Sequence, residues 1–236
     1  MEMRTSEPLY GLTYTQDTDL PKFGTDSLLL GDFCPPVRGD MADLGAGCGI
    51  LSLLLLRKYP GRLHAVELDP AAAAIAAENF INNGFADRAH VSAGDLRCAE
   101  NLPPAGSCEL VVANPPYFDP AAGPASPDAA RRCARSEESC TLSDICRAAR
   151  RILRFRGRLC LCWRPDRAAE LFAALAETGF APKRLRLCHP RADREANLLL
   201  CEARSGAAPG LCVMPPLILA ETDGSPTAEY RRIYEI

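Results

Sequence analysis

The chain is 236 residues long, 47% hydrophobic and 24% charged, with a formal net charge of −3, a profile that suits one soluble globular domain. No stretch approaches the ~18–20 apolar residues of a membrane helix; the longest candidate, Ile50 to Leu56, is stopped by Arg57 and Lys58. The opening Met1-Glu-Met-Arg-Thr-Ser-Glu7 is too polar for a secretory signal, so a cytoplasmic protein is expected.

In chain order, an N-terminal extension of 39 residues carries a helix at 25–33 and leads to a first strand at 40–44. Asp43-Leu-Gly-Ala-Gly-Cys-Gly49 follows, then a helix at 49–58. Gly45, Gly47 and Gly49 let the backbone turn tightly and approach a ligand where any Cβ would collide. The G-x-G-x-G spacing, with no Lys-Ser/Thr pair after it, separates this loop from a phosphate-binding one. Asp43 places a carboxylate where a pyrophosphate would be repelled. It suits a cationic amino-acid tail, such as the methionine part of S-adenosylmethionine.

A second strand at 62–67 ends on Glu67, 22 residues after Gly45 and near the offset of an acid that bonds ribose hydroxyls. The helix at 70–83 opens on Pro70 and stops before Gly84. A third strand at 89–93 leads to Asp95, placed to accept from an adenine amino group. Asp43, Glu67 and Asp95 thus converge at the carboxyl ends of successive strands, the crevice where such sheets bind ligands.

The fourth strand, 109–113, runs into Asn114-Pro-Pro-Tyr117. Two prolines stiffen the corner and offer no N–H, so it presents acceptors: the Asn114 side-chain oxygen and the Pro115 carbonyl. A planar exocyclic amine has two N–H donors to match them. Pro116 completes the rigid corner, and Tyr117 offers a flat face for stacking, worth about 1–3 kcal/mol per base in comparable sites. Gripping the amine localises its lone pair toward an incoming methyl group, so no strong base is needed.

The Pro- and Ala-rich segment 118–136 reads as a loop over the substrate; its Arg131, Arg132 and Arg135 are candidate phosphate contacts. Helices at 139–154 and 166–178 flank a strand at 157–163. The last strands, 182–188 and 196–203, are separated too briefly for a crossover helix and should pair antiparallel. Residues 204–236 form a tail. The whole reads as one α/β domain over 1–236, a three-layer sandwich about a seven-stranded, mostly parallel sheet ending in an antiparallel hairpin.

Charge is unevenly spread. Residues 1–130 carry 8 Lys+Arg against 17 Asp+Glu, residues 131–194 carry 16 against 7, and residues 195–236 carry 3 against 6. The basic middle is either an electrostatic footprint for phosphates or a set of solvated helix faces around Arg147 to Arg158. The twelve cysteines include no Cys-x-x-Cys pair, and the three histidines, His64, His90 and His189, sit far from any cysteine cluster. They read as buried thiols rather than disulfides or metal ligands, and no metal is expected.

These motifs resemble the bacterial tRNA(Val) adenine N6-methyltransferase family, within the class I, Rossmann-like S-adenosylmethionine-dependent methyltransferases. The likeness runs through Phe23-Gly-Thr-Asp26-Ser-Leu-Leu-Leu30, Asp43 to Ser52, Val66-Glu-Leu68, Asn114-Pro-Pro-Tyr117, Pro190-Arg191 and Pro215-Pro-Leu217. It implies methyl transfer to the N6 amine of an anticodon-loop adenine, with tRNA as partner. It also implies that Phe23, Thr25 and Asp26 flank the cofactor; an N-cap role for Thr25 or Asp26 competes. Asn-Pro-Pro-Tyr is shared with protein glutamine and DNA adenine methyltransferases, so those substrates are the alternatives, with a non-catalytic binding protein as a third. The short N-terminal extension argues against the glutamine enzymes, and the absence of a target-recognition domain against the DNA enzymes.

Overall fold

The computed structural model describes residues 4–9, 11–17, 24–115 and 140–234, with residues 4–9 described as backbone. Alternation along the central strands sorts their side chains into two cores. In β6 (Cys108–Ala113), Leu110 and Val112 enter one core while Val111 and Ala113 enter the other. In β7 (Leu153–Trp163), Cys160 and Cys162 share the first side, and Leu159, Leu161 and Trp163 the second. A strand with both faces buried in this way requires helices above and below the sheet.

The first layer holds α1 (Thr25–Phe33), α2 (Ile50–Lys58) and α3 (Pro70–Asn82). The second holds α4 (Leu142–Ile152) and α5 (Ala168–Glu177). The sheet adds β3 (Asp40–Leu44), β4 (Leu63–Glu67), β5 (Ala89–Ala93), β8 (Phe180–Arg191) and β9 (Leu198–Ser205), giving β8-β9-β7-β6-β3-β4-β5 across seven strands. All neighbours from β7 through β5 are parallel, and β9 runs antiparallel to both β7 and β8. The expected closing hairpin is therefore present.

The strand count differs from the sequence reading. β10 (Cys212–Val213) and β11 (Leu217–Ala220) both pair parallel with the outer edge of β8, making nine strands. Each is too short to show a period-2 pattern, and Pro215 and Pro216 separate the two. A separate antiparallel pair, β1 (Arg4–Leu9) and β2 (Leu12–Asp17), was likewise not anticipated. The tail then forms α6 (Ala228–Tyr234), which returns onto α1.

Local chemistry sets the helix ends. Asp69 caps α3 by accepting from Ala71 N at 2.8 Å, with Pro70 in the first turn, and Gly84 follows the helix at φ +75°. Thr141 and Asp144 form a reciprocal capping box that starts α4 at 142 rather than 139. β7 begins directly at Leu153, four residues before the expected start, because Arg156 takes a left-handed φ of +60° and lets the strand continue through an irregularity.

Candidate active site

The glycine loop joins β3 to α2 through three left-handed glycines, at φ +78° for Gly45, +55° for Gly47 and +85° for Gly49. They serve different ends. A Cβ on Gly49 would meet Phe80 at 3.0 Å and Ala76 at 3.1 Å, so this glycine lets α2 pack against α3. A Cβ on Gly45 or Gly47 would meet nothing within 4 Å. The backbone of these two is thus turned toward open space, which is what a bound ligand lying along the loop requires.

Glu67 holds the loop in shape. Its Oε2 accepts from Gly47 N at 2.7 Å and its Oε1 from Asp69 N at 2.9 Å. The Glu67 carbonyl accepts from Gly94 N at 2.8 Å, which ties the ends of β4 and β5 together. Each carboxylate oxygen keeps a second lone pair for a ligand donor.

Asp43 sits behind the loop, 1% exposed, on the same side of the sheet as α2. Its Oδ2 accepts from Ser52 Oγ at 2.7 Å. Burial, reinforced by the charge of Glu67 and opposed by the Ser52 hydroxyl, pushes its pKa up to about 7. A carboxyl so placed gains from any cation brought to the loop. Asp95 lies at the third strand end, with Arg97 gripping both its oxygens through Nε at 3.0 and 2.9 Å. Hydrogen bonds from Arg97 hold its pKa below the usual carboxylate range.

Asn114 follows β6 and continues the Leu110–Val112 side, which faces α1. Its Nδ2 donates to Ser27 Oγ at 2.9 Å, and its Oδ1 accepts from Cys162 Sγ at 2.8 Å. Pro115 is buried directly beside it. Thr25 is the first residue of α1, hydrogen-bonded to Tyr230 of α6, and Asp26 is half-buried next to it. Neither caps the helix: Gly24 occupies the N-cap and no side chain bonds there. Phe23, Pro116, Tyr117, Arg131, Arg132 and Arg135 lie outside the described residues.

The glycine loop, Asp43, Glu67, Asp95 and Asn114 are thus all at the carboxyl ends of β3, β4, β5 and β6. One family model, the methyltransferase small domain, matches residues 22–172. The chain belongs to this family. Curated relatives narrow the membership. A Tolumonas auensis protein named tRNA1(Val) (adenine(37)-N6)-methyltransferase is 34% identical over 221 residues, covering 91% of this chain and 89% of its own. A Porphyromonas gingivalis protein of the same name is 32% identical over 225 residues, covering 91% and 87%. At that identity and coverage the chain is a member of the tRNA1(Val) (adenine(37)-N6)-methyltransferase family.

Solved structures agree on the fold of this methyltransferase. A predicted O-methyltransferase from Agrobacterium tumefaciens superposes with a TM-score of 0.73 at 24% identity, covering 89% of this chain and 95% of its own. Geranyl diphosphate C-methyltransferase from Streptomyces coelicolor, solved with S-adenosyl-L-homocysteine, gives a TM-score of 0.56 at 15% identity, covering 77% and 79%.

The basic segment is resolved by strand direction. β7 runs parallel to β6, so Arg154, Arg156 and Arg158 lie at the end of the sheet away from Asn114. Several of the segment's arginines are already paired: Glu202, 2% exposed, is ringed by Arg158 and Arg184 of the segment and by Arg204 beyond it. Arg154 pairs with Glu109 at 2.9 Å, and Arg147 with Asp144 at 2.9 Å. Among the described arginines of the segment, Arg164, Arg167, Arg191 and Arg194 sit at the carboxyl ends of β7 and β8, on the site side. Much of the excess charge is therefore structural.

Sequence reasoning missed Ser27, Ser52, Asn79, Arg97 and Cys162 as parts of this site. In the sequence Cys162 reads as one more buried thiol, and Ser27 stands out only as a member of the Phe23–Leu30 motif. Asn79 and Asn83 did carry a signal: two amides one turn apart on a helix otherwise rich in alanine.

Proposed function

We propose that this chain transfers a methyl group from S-adenosylmethionine to the N6 amine of an adenine in tRNA, and that Asn114 is the acceptor that grips the amine. The observation that carries the reading is the placement of Asn114 at the end of β6, on the α1 side, its amide held at both ends beside the glycine loop. The names of the curated relatives point to the same substrate.

The residues present suit the cofactor. Gly45 and Gly47 leave room in front of their backbone, Asp43 answers the positive amino-acid end, Glu67 the ribose hydroxyls and Asp95 the adenine amine. Thr25 and Asp26 approach the same crevice from the start of α1, and the family resemblance adds Phe23 to the cofactor contacts. S-adenosylmethionine supplies, when bound, a methyl group already activated by the sulfonium, which leaves as a neutral thioether.

The chain's own part is alignment. Asn114 Oδ1 and the Pro115 carbonyl accept the two N–H groups of the target amine, drawing it toward tetrahedral geometry with its lone pair aimed along the methyl–sulfur axis. Pro116 keeps that corner rigid and Tyr117 stacks on the base. The nitrogen gains the methyl group and afterwards releases one proton to solvent, so no residue must act as a strong base. An anticodon-loop adenine is already single-stranded, which lessens the unstacking needed to reach it. Arg131, Arg132 and Arg135 contact phosphates of the RNA.

The deciding experiment is transfer from radiolabelled S-adenosylmethionine to unmodified total tRNA, followed by nucleoside analysis. N6-methyladenosine is the expected product. Label appearing instead in release factor or in duplex DNA, with none in tRNA, would overturn the substrate while leaving the chemistry. Cofactor binding with no transfer to any of the three would overturn the enzyme reading.

A further inference from the structure

We infer that Ser27 and Cys162 form a two-point clamp on the Asn114 amide, making both of them positioning residues for the reaction. The inference rests on the reading of Asn114 as the acceptor of the target amine.

An asparagine amide can turn end for end about its last side-chain bond, and the two orientations are opposite in function. With Oδ1 outward the side chain accepts from an amine; with Nδ2 outward it presents a donor to a donor. A lone asparagine would divide its time between the two. Here the choice is fixed from both sides: Nδ2 donates to Ser27 Oγ at 2.9 Å, while the Cys162 thiol donates to Oδ1 at 2.8 Å. Ser27 is 4% exposed and Cys162 is fully buried, so both partners are held out of bulk water on the protein side of the half-buried Asn114.

The geometry follows from the sheet. β6 and β7 are parallel, with Val112 opposite Cys160 and Ala113 opposite Leu161. One further step places Asn114 beside Cys162, on the same side because side chains alternate. That side is covered by α1, whose third residue is Ser27. The arrangement gives the motif Phe23-Gly-Thr-Asp26-Ser-Leu-Leu-Leu30 a task at the reacting corner, distinct from lining the cofactor.

A thiol also has the right strength. It is a weak donor, so it directs Oδ1 without drawing off much of the electron density that the oxygen must offer the amine. Oδ1 has two lone pairs, and the second remains for the substrate.

The test is steady-state and single-turnover methyl transfer by Ser27→Ala, Cys162→Ala and Cys162→Ser, each alone and combined with Asn114→Ala. Ser27→Ala and Cys162→Ala are expected to lower kcat about tenfold, which is ~1.4 kcal/mol of transition-state stabilisation, with KM for the cofactor unchanged. Cys162→Ser keeps a donor and is expected to restore kcat to within about twofold of the parent. In the Asn114→Ala background neither substitution should lower the residual rate further, because the group they position is gone.

Wild-type kcat in both alanine variants, with Asn114→Ala inactive, overturns the clamp and leaves the role of Asn114 standing. Equal losses with and without Asn114 also overturn it, since the effect would then be one of packing. Full activity of Asn114→Ala overturns the clamp together with the acceptor role on which it rests.

Discussion

The amide of Asn79 on α3 is matched end for end by the backbone of Thr15 on β2: Oδ1 accepts from Thr15 N at 2.9 Å and Nδ2 donates to Thr15 O at 2.8 Å. The same Nδ2 also donates to the Cys48 carbonyl at 2.8 Å. One turn later, Asn83 repeats the exchange with Thr13 N and O, at 2.9 and 2.8 Å. The two residues of β2 are two apart in a strand and the two asparagines four apart in a helix, spacings of roughly 6–7 Å and 6 Å along each axis. The helix thereby pairs with the strand edge as another strand would, and one amide joins the hairpin to the glycine loop.

Asn79 is fully buried, so truncating it strands three backbone groups without partners. Asn79→Ala is expected to destabilise the protein by at least about 2 kcal/mol, from ~1–3 kcal/mol for each buried group left unsatisfied. Denaturant unfolding measures the loss, and hydrogen exchange should show the Thr15 amide losing protection first. A variant as stable as the parent would mean that water replaces the side chain.

Asp43 gives a pH signature. Its folded pKa of about 7 lies above the unfolded value near 3.9, so the folded state holds the proton more tightly. The associated stability is complete below about pH 4 and is lost as pH rises through about 7, on the order of 4 kcal/mol in all. Relative to Asp43→Asn, the parent should weaken between pH 5 and pH 8 in urea unfolding. A difference that does not change with pH would show that Asp43 is ionised throughout.

The same carboxyl should sense the cofactor. A cationic ligand at the loop favours ionised Asp43, so affinity for S-adenosylmethionine is expected to rise with pH up to about 7 and then level off. Asp43→Ala should lose at least ~1.4 kcal/mol, a tenfold weakening, along with that pH dependence. Calorimetry showing unchanged affinity would remove Asp43 from the binding site.

Glu202 is the keystone of the far-end ion cluster. Replacing it by alanine leaves Arg158, Arg184 and Arg204 without their shared carboxylate, which is 2% exposed. A loss of about 3–5 kcal/mol is expected, read from the denaturant midpoint. An unchanged midpoint would show that the arginines relax into solvent.

Neutralising Arg131, Arg132 and Arg135 together should weaken RNA binding and flatten its salt dependence. Each arginine on a phosphate contributes about 0.7–0.9 to the slope of log affinity against log salt, so a drop of about 2 to 3 is expected for all three. A slope that does not move would place these arginines away from the RNA.

The central strands and helices were legible because periodicity and punctuation coincide there. Strand 40–44, strand 89–93 and helix 25–33 match β3, β5 and α1 residue for residue. The others differ by a few residues at their ends, where capping at Thr141 or the left-handed Arg156 overrides the local pattern. The additions β10, β11 and the β1–β2 pair were not legible, since two to six residues paired at an edge carry too little pattern of their own.

The site divides along the same line. The glycine loop, Glu67 and Asn114 declare themselves by sequence because backbone conformation and strand-end position are local properties, encoded within a few residues. Ser27, Cys162, Asn79 and Ser52 gain their roles from partners 87, 48, 64 and 9 residues away. A serine or cysteine in an apolar run reads the same whether it fills space or steers an amide. Only the register of β6 on β7, and the docking of α1 over both, decides which of the two it does.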